Sequence, residues 1–428
     1  MNVLVFPCGS EIALEIHAAL RACKGMRLHG ASSADDHGEF VYARYRCIDA
    51  DARDGEALLS ALNALIDEWA IDIVLPAHDS VIPLLAEAGA ALHAPATVPD
   101  AATARLCRDK HLTYDRLAPL GFVPTRVRGL DTQYPIFAKP AIGQGSQGAE
   151  RVDDAARHQA LLGSGIDYVF AEYLPGEEYT IDCISDARGA LLHAAPRRRT
   201  RVRNGIAVRT SAAPHDEALQ AMAQAIADAL RLRGAWFFQA RRDASGRPKL
   251  LEVAPRIAGS MGLSRQRGIN YPLLGILAHL DQPFRVLAQE LPVEMDRALH
   301  SRFRSSLAYA RIYLDLDDTL LLDGRVNPTL VALLYQWRAA GKAIVLLTRH
   351  AGCPSATLAA HHIHEGLFER IVHLTDGSPK SAAIDPAELS GGAIFIDDAF
   401  RERHDVHSRH GLPVFDLDAV EQLLDARA

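Results

Sequence analysis

Lysine is scarce in this chain. Of 46 Lys and Arg residues among 428, only Lys24, Lys110, Lys139, Lys249, Lys342 and Lys380 are lysine. Where arginine is the default cation, a lysine can mark a site that uses a compact, flexible ammonium group. Long apolar runs are also missing. No stretch of about 18 apolar residues occurs, which argues against a membrane-spanning helix. The opening "MNVLVFPCGSE" lacks the basic start and long apolar core of a secretory leader, so none is expected. The six cysteines (8, 23, 47, 107, 183 and 353) form no CxxC pair. They read as reduced thiols, mostly core residues, in a cytoplasmic protein. Positive charge is not in excess: the net charge is −7 and the pI near 6.2, so no general attraction to nucleic acid is expected. Repeats and low-complexity linkers are absent as well.

What is present is apolar material for more than one core. A chain of this length, 49% hydrophobic, suggests two or three packed domains. Residues 1–95 alternate short apolar runs with helical patterns: "NVLVFPCG" reads as a strand, "EIALEIHAALRA" as a helix and "IDIVLPAHD" as a later strand. Such alternation predicts a parallel sheet covered by helices. "LHAPATVPDAATARL" reads as a boundary. In residues 100–300 strands and helices mix. "EALQAMAQAIADALRLRG" has helical spacing of Leu219, Met222, Ile226 and Leu230, with Gly234 as the expected stop. From about 305, "RIYLDLDD", "KAIVLLTR", "RIVHL", "AIFIDD" and "LPVFDL" resume strand–helix alternation.

In an open parallel sheet, ligands bind at the carboxyl ends of the strands. Asp315, Thr348 and Asp397 fall at such ends, and Lys380 precedes an expected helix. Asp317 and Asp318 crowd beside Asp315. Clustered carboxylates with one lysine suit Mg²⁺ and a phosphate. Asp315-Leu-Asp317-Asp318-Thr319 resembles the DxDxT signature of the haloacid dehalogenase superfamily. "VLLTRH" with Thr348, "SPKSAAI" with Lys380 and "IFIDDAF" with Asp397 and Asp398 match its remaining motifs, in order, across 310–428. The resemblance implies Asp315 as nucleophile, through an aspartyl-phosphate, and Asp317 as acid and base. It implies that Thr348 and Lys380 hold the phosphoryl oxygens, and that Asp315, Asp317, Asp397 and Asp398 surround Mg²⁺. The implied reaction is hydrolysis of a phosphomonoester. Asp315, Thr348 and Lys380 are separated by about 30 positions each, which leaves no room for an inserted cap domain. The site should be open unless the preceding residues cover it.

"FAKPAIGQGSQGAERV" is a strand, a lysine, a glycine-rich loop and a strand. Glycines let backbone N–H groups approach phosphate oxygens. Glu172 ends a further strand in "FAEYLPGEEYTIDCI", and Glu178 follows its glycine turn. "WFFQARRDASGRPKLLEVAPR" reads as a hairpin turning at Ser245-Gly246, with Gln239 and Glu252 on facing strands where oxygens can share a cation.

This order resembles the ATP-grasp superfamily, particularly its carboxylate–amine ligases and the synthetase units of carbamoyl-phosphate synthetase. The likeness spans about 1–300. It implies an α/β chain with a Rossmann-like pre-ATP-grasp domain (1–98) and an ATP-grasp α+β domain (99–303). The capless haloacid dehalogenase-type Rossmannoid domain would follow (304–428). It implies that Lys110 and Lys139 contact ATP phosphates under a loop of Gly143, Gly145, Ser146 and Gly148. It places Glu172, Tyr173 and Leu174 at adenine and Glu178 at the ribose. Gln239 and Glu252 would hold Mg²⁺, and Arg256 would face an acyl phosphate. One position departs from the pattern: the family commonly has Glu-x-Asn-Pro-Arg, with the asparagine a metal ligand, and here Ala254 replaces it.

Two further signals are discounted. "PRRRTRVRNGIAVR" (196–209) reads as a loop meeting triphosphate or an anionic substrate rather than nucleic acid. The histidines of "HHIHEG" and His404, His407 and His410 have no cysteine partners and read as solvated rather than zinc-binding. The expectation is a bifunctional enzyme using ATP and Mg²⁺. It would form an amide from a small carboxylate and an amine with release of ADP, and it would hydrolyse a phosphomonoester. A phosphate on one substrate, held by the arginines at 197–203, would link the two activities. The alternative is a phosphatase whose ATP-grasp part binds ATP without turning it over. No membrane partner is expected, and the oligomeric state is open.

Overall fold

The first strand, Asn2–Phe6, is apolar from Val3 on and pairs in parallel with Arg27–Ser32 and Ile73–Pro76. With Arg44–Cys47 these make a four-stranded parallel sheet, ordered 44–47, 27–32, 2–6, 73–76. The apolar strands 2–6 and 73–76 are covered on both faces, as parallel strands of this kind require. The computed structural model describes residues 1–50, 53–425 and 427.

The chain forms two compact units, Met1–Leu299 and His300–Ala428, so the division falls just ahead of the expected 303/304 boundary. No division falls at the proline- and alanine-rich stretch near residue 98. There, Leu92 and Ala94 are buried against the first sheet, and the Val74 N–H donates to the Pro95 carbonyl at 2.9 Å. The first sheet also shares a core with later segments: Val3, Val5 and Ile16 pack in one cluster with Phe237, Ile257 and Tyr271.

The rest of the first unit is antiparallel. A three-stranded sheet orders Glu150–Val152, Ile136–Pro140 and Tyr168–Glu172. A six-stranded sheet runs Pro248–Ala254, Gly234–Arg242, Glu178–Ser185, Leu191–Arg203, Ile206–Ala212, Glu294–Asp296. The helix Glu217–Leu230 packs Leu219, Met222, Ile226 and Leu230 against this sheet, on the face its spacing predicts. It stops earlier than Gly234. Arg231 takes a left-handed conformation (φ 50°) as the cap, and Gly234 opens the next strand.

The arginine-rich stretch is not a loop. It forms a strand pair turning at Asn204-Gly205, both with positive φ (49° and 75°), as a tight two-residue hairpin demands. Gly205 is obligatory for a second reason. A Cβ there would lie 2.2 Å from the carbonyl carbon of Gly145, so the hairpin tip rests on the glycine-rich loop.

The second unit is a five-stranded parallel sheet ordered 370–373, 343–348, 311–314, 393–396, 414–415. Alternation sends Ile312 and Leu314 to one core and Tyr313 to the other. The strand Arg311–Leu314 is central, so Asp315 leaves it between the ends of Ala343–Thr348 and Ala393–Ile396. Lys380 begins a 3₁₀ turn, Lys380–Ala383, rather than an α-helix.

Of the cysteines, Cys8 and Cys183 are buried, Cys23 and Cys107 half-buried, and Cys47 and Cys353 exposed.

Candidate functional site

A cavity in the first unit is lined by Lys110, Lys139, Gly143, Gly145, Ser146, Glu172, Tyr173, Leu174, Glu178, Gln239 and Glu252. Of the nucleotide-binding residues expected from sequence, only Gly148 is not in this lining. The elements explain the convergence. Lys139 is the penultimate residue of the strand Ile136–Pro140, and the glycine-rich loop returns to Glu150–Val152. Gln239 and Glu252 sit directly opposite one another in the hairpin, at a register shift between Gln239 and Ala240. Such a bulge twists a strand and re-aims its side chains.

Lys139 is held by neutral oxygens. Its Nζ donates to Tyr114 Oη at 2.7 Å and to the Leu251 carbonyl at 2.6 Å. Burial pulls its pKa down to about 8, opposed by the charges of Glu252 and Glu178. Lys110 is also held below the usual lysine range, first by burial, and further by the positive charges of Lys139 and Arg108, against the opposing pull of Glu252. Its Nζ reaches only the Ala141 carbonyl, at 3.4 Å. These cations crowd together without a contacting carboxylate, an arrangement suited to a polyanion.

Other expected residues are already engaged. Glu178 faces the cavity but ion-pairs with Arg199 at 2.8 Å, so a ribose would share it with that arginine. Glu172 accepts from the Thr125 N–H at 2.7 Å. Ala254 is buried and offers no ligand atom, leaving Gln239 and Glu252 as the facing oxygen pair.

A smaller polar cavity adjoins the first. The two share Lys110, Gly143, Gln144, Gly145 and Glu252, and the second adds Asp79, Arg108, Ala254 and Arg256. Here Arg256 departs from its expected role. Its Nε and Nη2 donate to the two oxygens of Asp79 at 2.6 and 2.7 Å, and Nη1 donates to the Ile257 carbonyl at 2.9 Å. The Arg256 and Arg108 charges hold the Asp79 carboxyl below its usual range despite burial. Next to Asp79, His78 accepts at Nε2 from the Gln144 amide at 2.7 Å, tying the glycine-rich loop to the end of the first sheet. Asp79, His78, Arg108 and Tyr114 were not expected from sequence. They carry no motif, and their partners lie far along the chain.

Most arginines of the hairpin are already paired. Arg197 is 1% exposed and paired bidentately with Asp182 at 2.9 Å, and Ser264 donates to the same carboxylate. Arg199 pairs with Glu178, and Arg201 with Asp296. A phosphate held by residues 197–203 would compete with these ion pairs, Arg203 alone among those arginines having none among the described residues.

In the second unit, Asp315, Asp397 and Asp398 place carboxylate oxygens within 4.8 Å of one another. Lys380 Nζ lies 2.6 Å from both Asp315 and Asp397. Burial raises the Asp315 carboxyl to about 6, although Lys380 pulls the other way. Asp397 is raised as well, again by burial first. An all-oxygen donor set of this kind fits Mg²⁺. Asp398 is anchored by Thr319, whose Oγ1 donates to it at 3.3 Å and accepts its backbone N–H at 3.1 Å. Thr348 ends its strand with Oγ1 accepting the His350 N–H at 3.1 Å. Asp317 stands apart from the metal cluster expected to include it. Its exposed carboxylate meets His350 Nδ1 at 2.9 Å, and His350 Nε2 meets Thr357 Oγ1 at 2.7 Å. Asp318 is exposed, with φ 49°. In the helix Phe400–His410, His407 and His410 bond to the backbone carbonyls of Leu412 and Ser381.

The family model described as "ATP-grasp in the biosynthetic pathway with Ter operon" matches residues 166–300. The first unit has an ATP-grasp fold. Among similar solved structures is L-amino acid ligase from Bacillus licheniformis, 22% identical, covering 65% of this chain and 74% of that one, with a TM-score of 0.53. Biotin carboxylase from Campylobacter jejuni, in a complex with β,γ-ATP, is 19% identical, covering 68% and 72%, with a TM-score of 0.54. N5-carboxyaminoimidazole synthetase from Staphylococcus aureus with ADP is 15% identical, covering 66% and 77%, with a TM-score of 0.53. No curated protein matches the sequence. The family match stops at residue 300, so the carboxylate cluster of the second unit stands on its own geometry.

Proposed function

We propose that residues 1–299 join a small carboxylate to an amine at the expense of ATP, and that residues 300–428 hydrolyse a phosphomonoester. The observation that carries the first reading is the single cavity in which Lys110, Lys139, the glycine-rich loop and the Gln239–Glu252 pair meet. The ATP-grasp fold and neighbours titled as ligase, carboxylase and synthetase support it. Lys110, Lys139 and the loop N–H groups bind the triphosphate. Glu172, Tyr173 and Leu174 line the base end and Glu178 the ribose end. Gln239 and Glu252 would hold Mg²⁺, which supplies charge neutralisation when bound.

The carboxylate oxygen attacks the γ-phosphorus, the bond to ADP breaks, and an acyl phosphate forms. The amine nitrogen then attacks the acyl carbon, loses a proton, and expels inorganic phosphate. The cations lining the cavity oppose the charge that builds on phosphate and acyl oxygens.

Lys380 held between Asp315 and Asp397 carries the second reading. Asp315 attacks phosphorus and the alcohol leaves, taking a proton from Asp317. Asp317 then deprotonates the water that cleaves the aspartyl-phosphate. Thr348 and Lys380 hold phosphoryl oxygens, and Asp315, Asp397 and Asp398 would hold Mg²⁺. His350, absent from the expected site, orients the Asp317 carboxylate.

Ala254 favours one alternative for the first unit, nucleotide binding without bond formation, because it removes a metal ligand. ADP release across pairs of carboxylic acids and amines separates the two readings. Stoichiometric ADP and amide support the ligase, whereas MgATP binding with no turnover on any pair sinks it.

A further inference from the structure

The smaller cavity beside the nucleotide pocket contains two arginines in contrasting states. Arg256 comes from the segment where the sequence pattern places an acyl-phosphate ligand, yet it is occupied. Three of its N–H groups are spent on Asp79 and Ile257. An anion placed against it would also face the Asp79 carboxylate, which is half-buried and ionised beside it. Arg108 is in the opposite state. It ends the helix Ala101–Arg108, and its one hydrogen bond is from Nη1 to the Gly143 carbonyl, a neutral oxygen, at 3.0 Å. Among the described residues no carboxylate lies within ion-pairing distance of it. With Lys110 and Glu252 it lines the smaller cavity.

Charge bookkeeping points the same way. Lys110 and Lys139 line the larger cavity, and their charges are matched by the triphosphate. Arg108 lines only the smaller one, where the Asp79 carboxylate acts on it through space while bonding bidentately to Arg256. A guanidinium with a free edge takes a carboxylate or phosphate in bidentate fashion.

We infer that Arg108 binds the carboxylate substrate, and then its acyl phosphate, in this smaller cavity, while Arg256 serves as the structural partner of Asp79. The assignment rests on the ligase reading above. It makes Arg108 a catalytic residue, because its guanidinium touches the reacting oxygens. It also sets a substrate class. The group entering this cavity is a small acid whose anionic end is clamped by one arginine.

The test runs phosphoryl transfer backwards, in an Asp315→Asn background to spare the acyl phosphate from the second unit. MgADP is supplied with acetyl phosphate or carbamoyl phosphate. A β-phosphate oxygen of ADP attacks phosphorus, the acyl–oxygen–phosphorus link breaks on the phosphorus side, and the acid leaves as its carboxylate with ATP formed. ATP is read by luciferase, so plain hydrolysis contributes nothing. With Arg108→Ala, the KM for acyl phosphate should rise roughly tenfold or more, with the KM for ADP within about twofold. Arg108→Lys should fall between. A role limited to pinning the glycine-rich loop through Gly143 would instead move the ADP constant. That outcome, or an unchanged acyl-phosphate KM in Arg108→Ala, overturns the assignment and leaves the ligase reading standing. If protein that binds MgADP by calorimetry makes ATP from neither acyl phosphate, the ligase reading fails and the inference falls with it.

Discussion

The two units each hold a lysine at the candidate site, and its neighbours differ. Lys139 donates to a phenol and a carbonyl, and burial draws its pKa down to about 8. Lys380 is clamped between Asp315 and Asp397, both at 2.6 Å. The first site therefore holds two lysines, Lys110 and Lys139, that touch no carboxylate among the described residues. The second has an excess of carboxylate even after its lysine is counted, and wants a cation. On the proposed reading a triphosphate would complete the first, and a divalent metal with a phosphoryl group the second. A third buried cation, Arg197, is already matched by Asp182 at 0% exposure and has no ligand to wait for. The lesson is that the company a buried cation keeps distinguishes a binding group from a structural one.

Asp315→Asn breaks the comparison most severely. It keeps the side-chain shape and removes the nucleophilic oxyanion, so Mg²⁺-dependent hydrolysis of an aryl phosphate should fall by about a thousandfold or more. Turnover at the wild-type rate would remove Asp315 as nucleophile. Asp182→Ala tests the structural pair. Leaving Arg197 buried and unpaired should cost about 3–5 kcal/mol, read as a lower denaturation midpoint of the first unit. A loss under about 1 kcal/mol would mean that water reaches the site. Lys139→Ala or Glu252→Ala should lower ATP turnover about a hundredfold, with aryl phosphate hydrolysis within about twofold, because both residues belong to the first unit and the carboxylate cluster to the second. Silencing of both activities would show that the sites are coupled.

The smallest effect concerns pH. In the nucleotide-free protein Lys139 gives up its proton near pH 8, whereas in the unfolded chain it keeps it to about 10.5. Between those values the unfolded chain binds more protons, so this group makes the fold more stable as pH rises. Nucleotide affinity moves the other way. The KM for ATP should rise several-fold between about pH 7 and 9, and the rise should flatten in Lys139→Ala. Equal slopes in the two proteins would assign the titration to another group.

Much of the nucleotide cavity was legible because its groups are local in sequence. Gln239 and Glu252 face one another because the Ser245-Gly246 turn and the two-residue period of strands dictate it. The carboxylate cluster was legible for the same reason: apolar runs ending in Asp315, Thr348 and Asp397 become neighbours once parallel strands align. The arginine stretch was misread because charge alone does not separate a solvated loop from a strand. The signal that would have found the hairpin was Asn204-Gly205 between two alternating runs.

The sequence by itself determined the strands, the turns and the residue types gathered at the ends of adjoining strands, because these follow from short-range periodicity and stereochemistry. Tertiary structure alone decided which charges remain available. Asp79 meets Arg256 across 177 positions, Tyr114 meets Leu251 across 137, and His78 meets Gln144 across 66. No local pattern encodes such pairings. They arise when separate sheets close on one another, and burial then decides whether a charged side chain is spent on the fold or kept for a ligand.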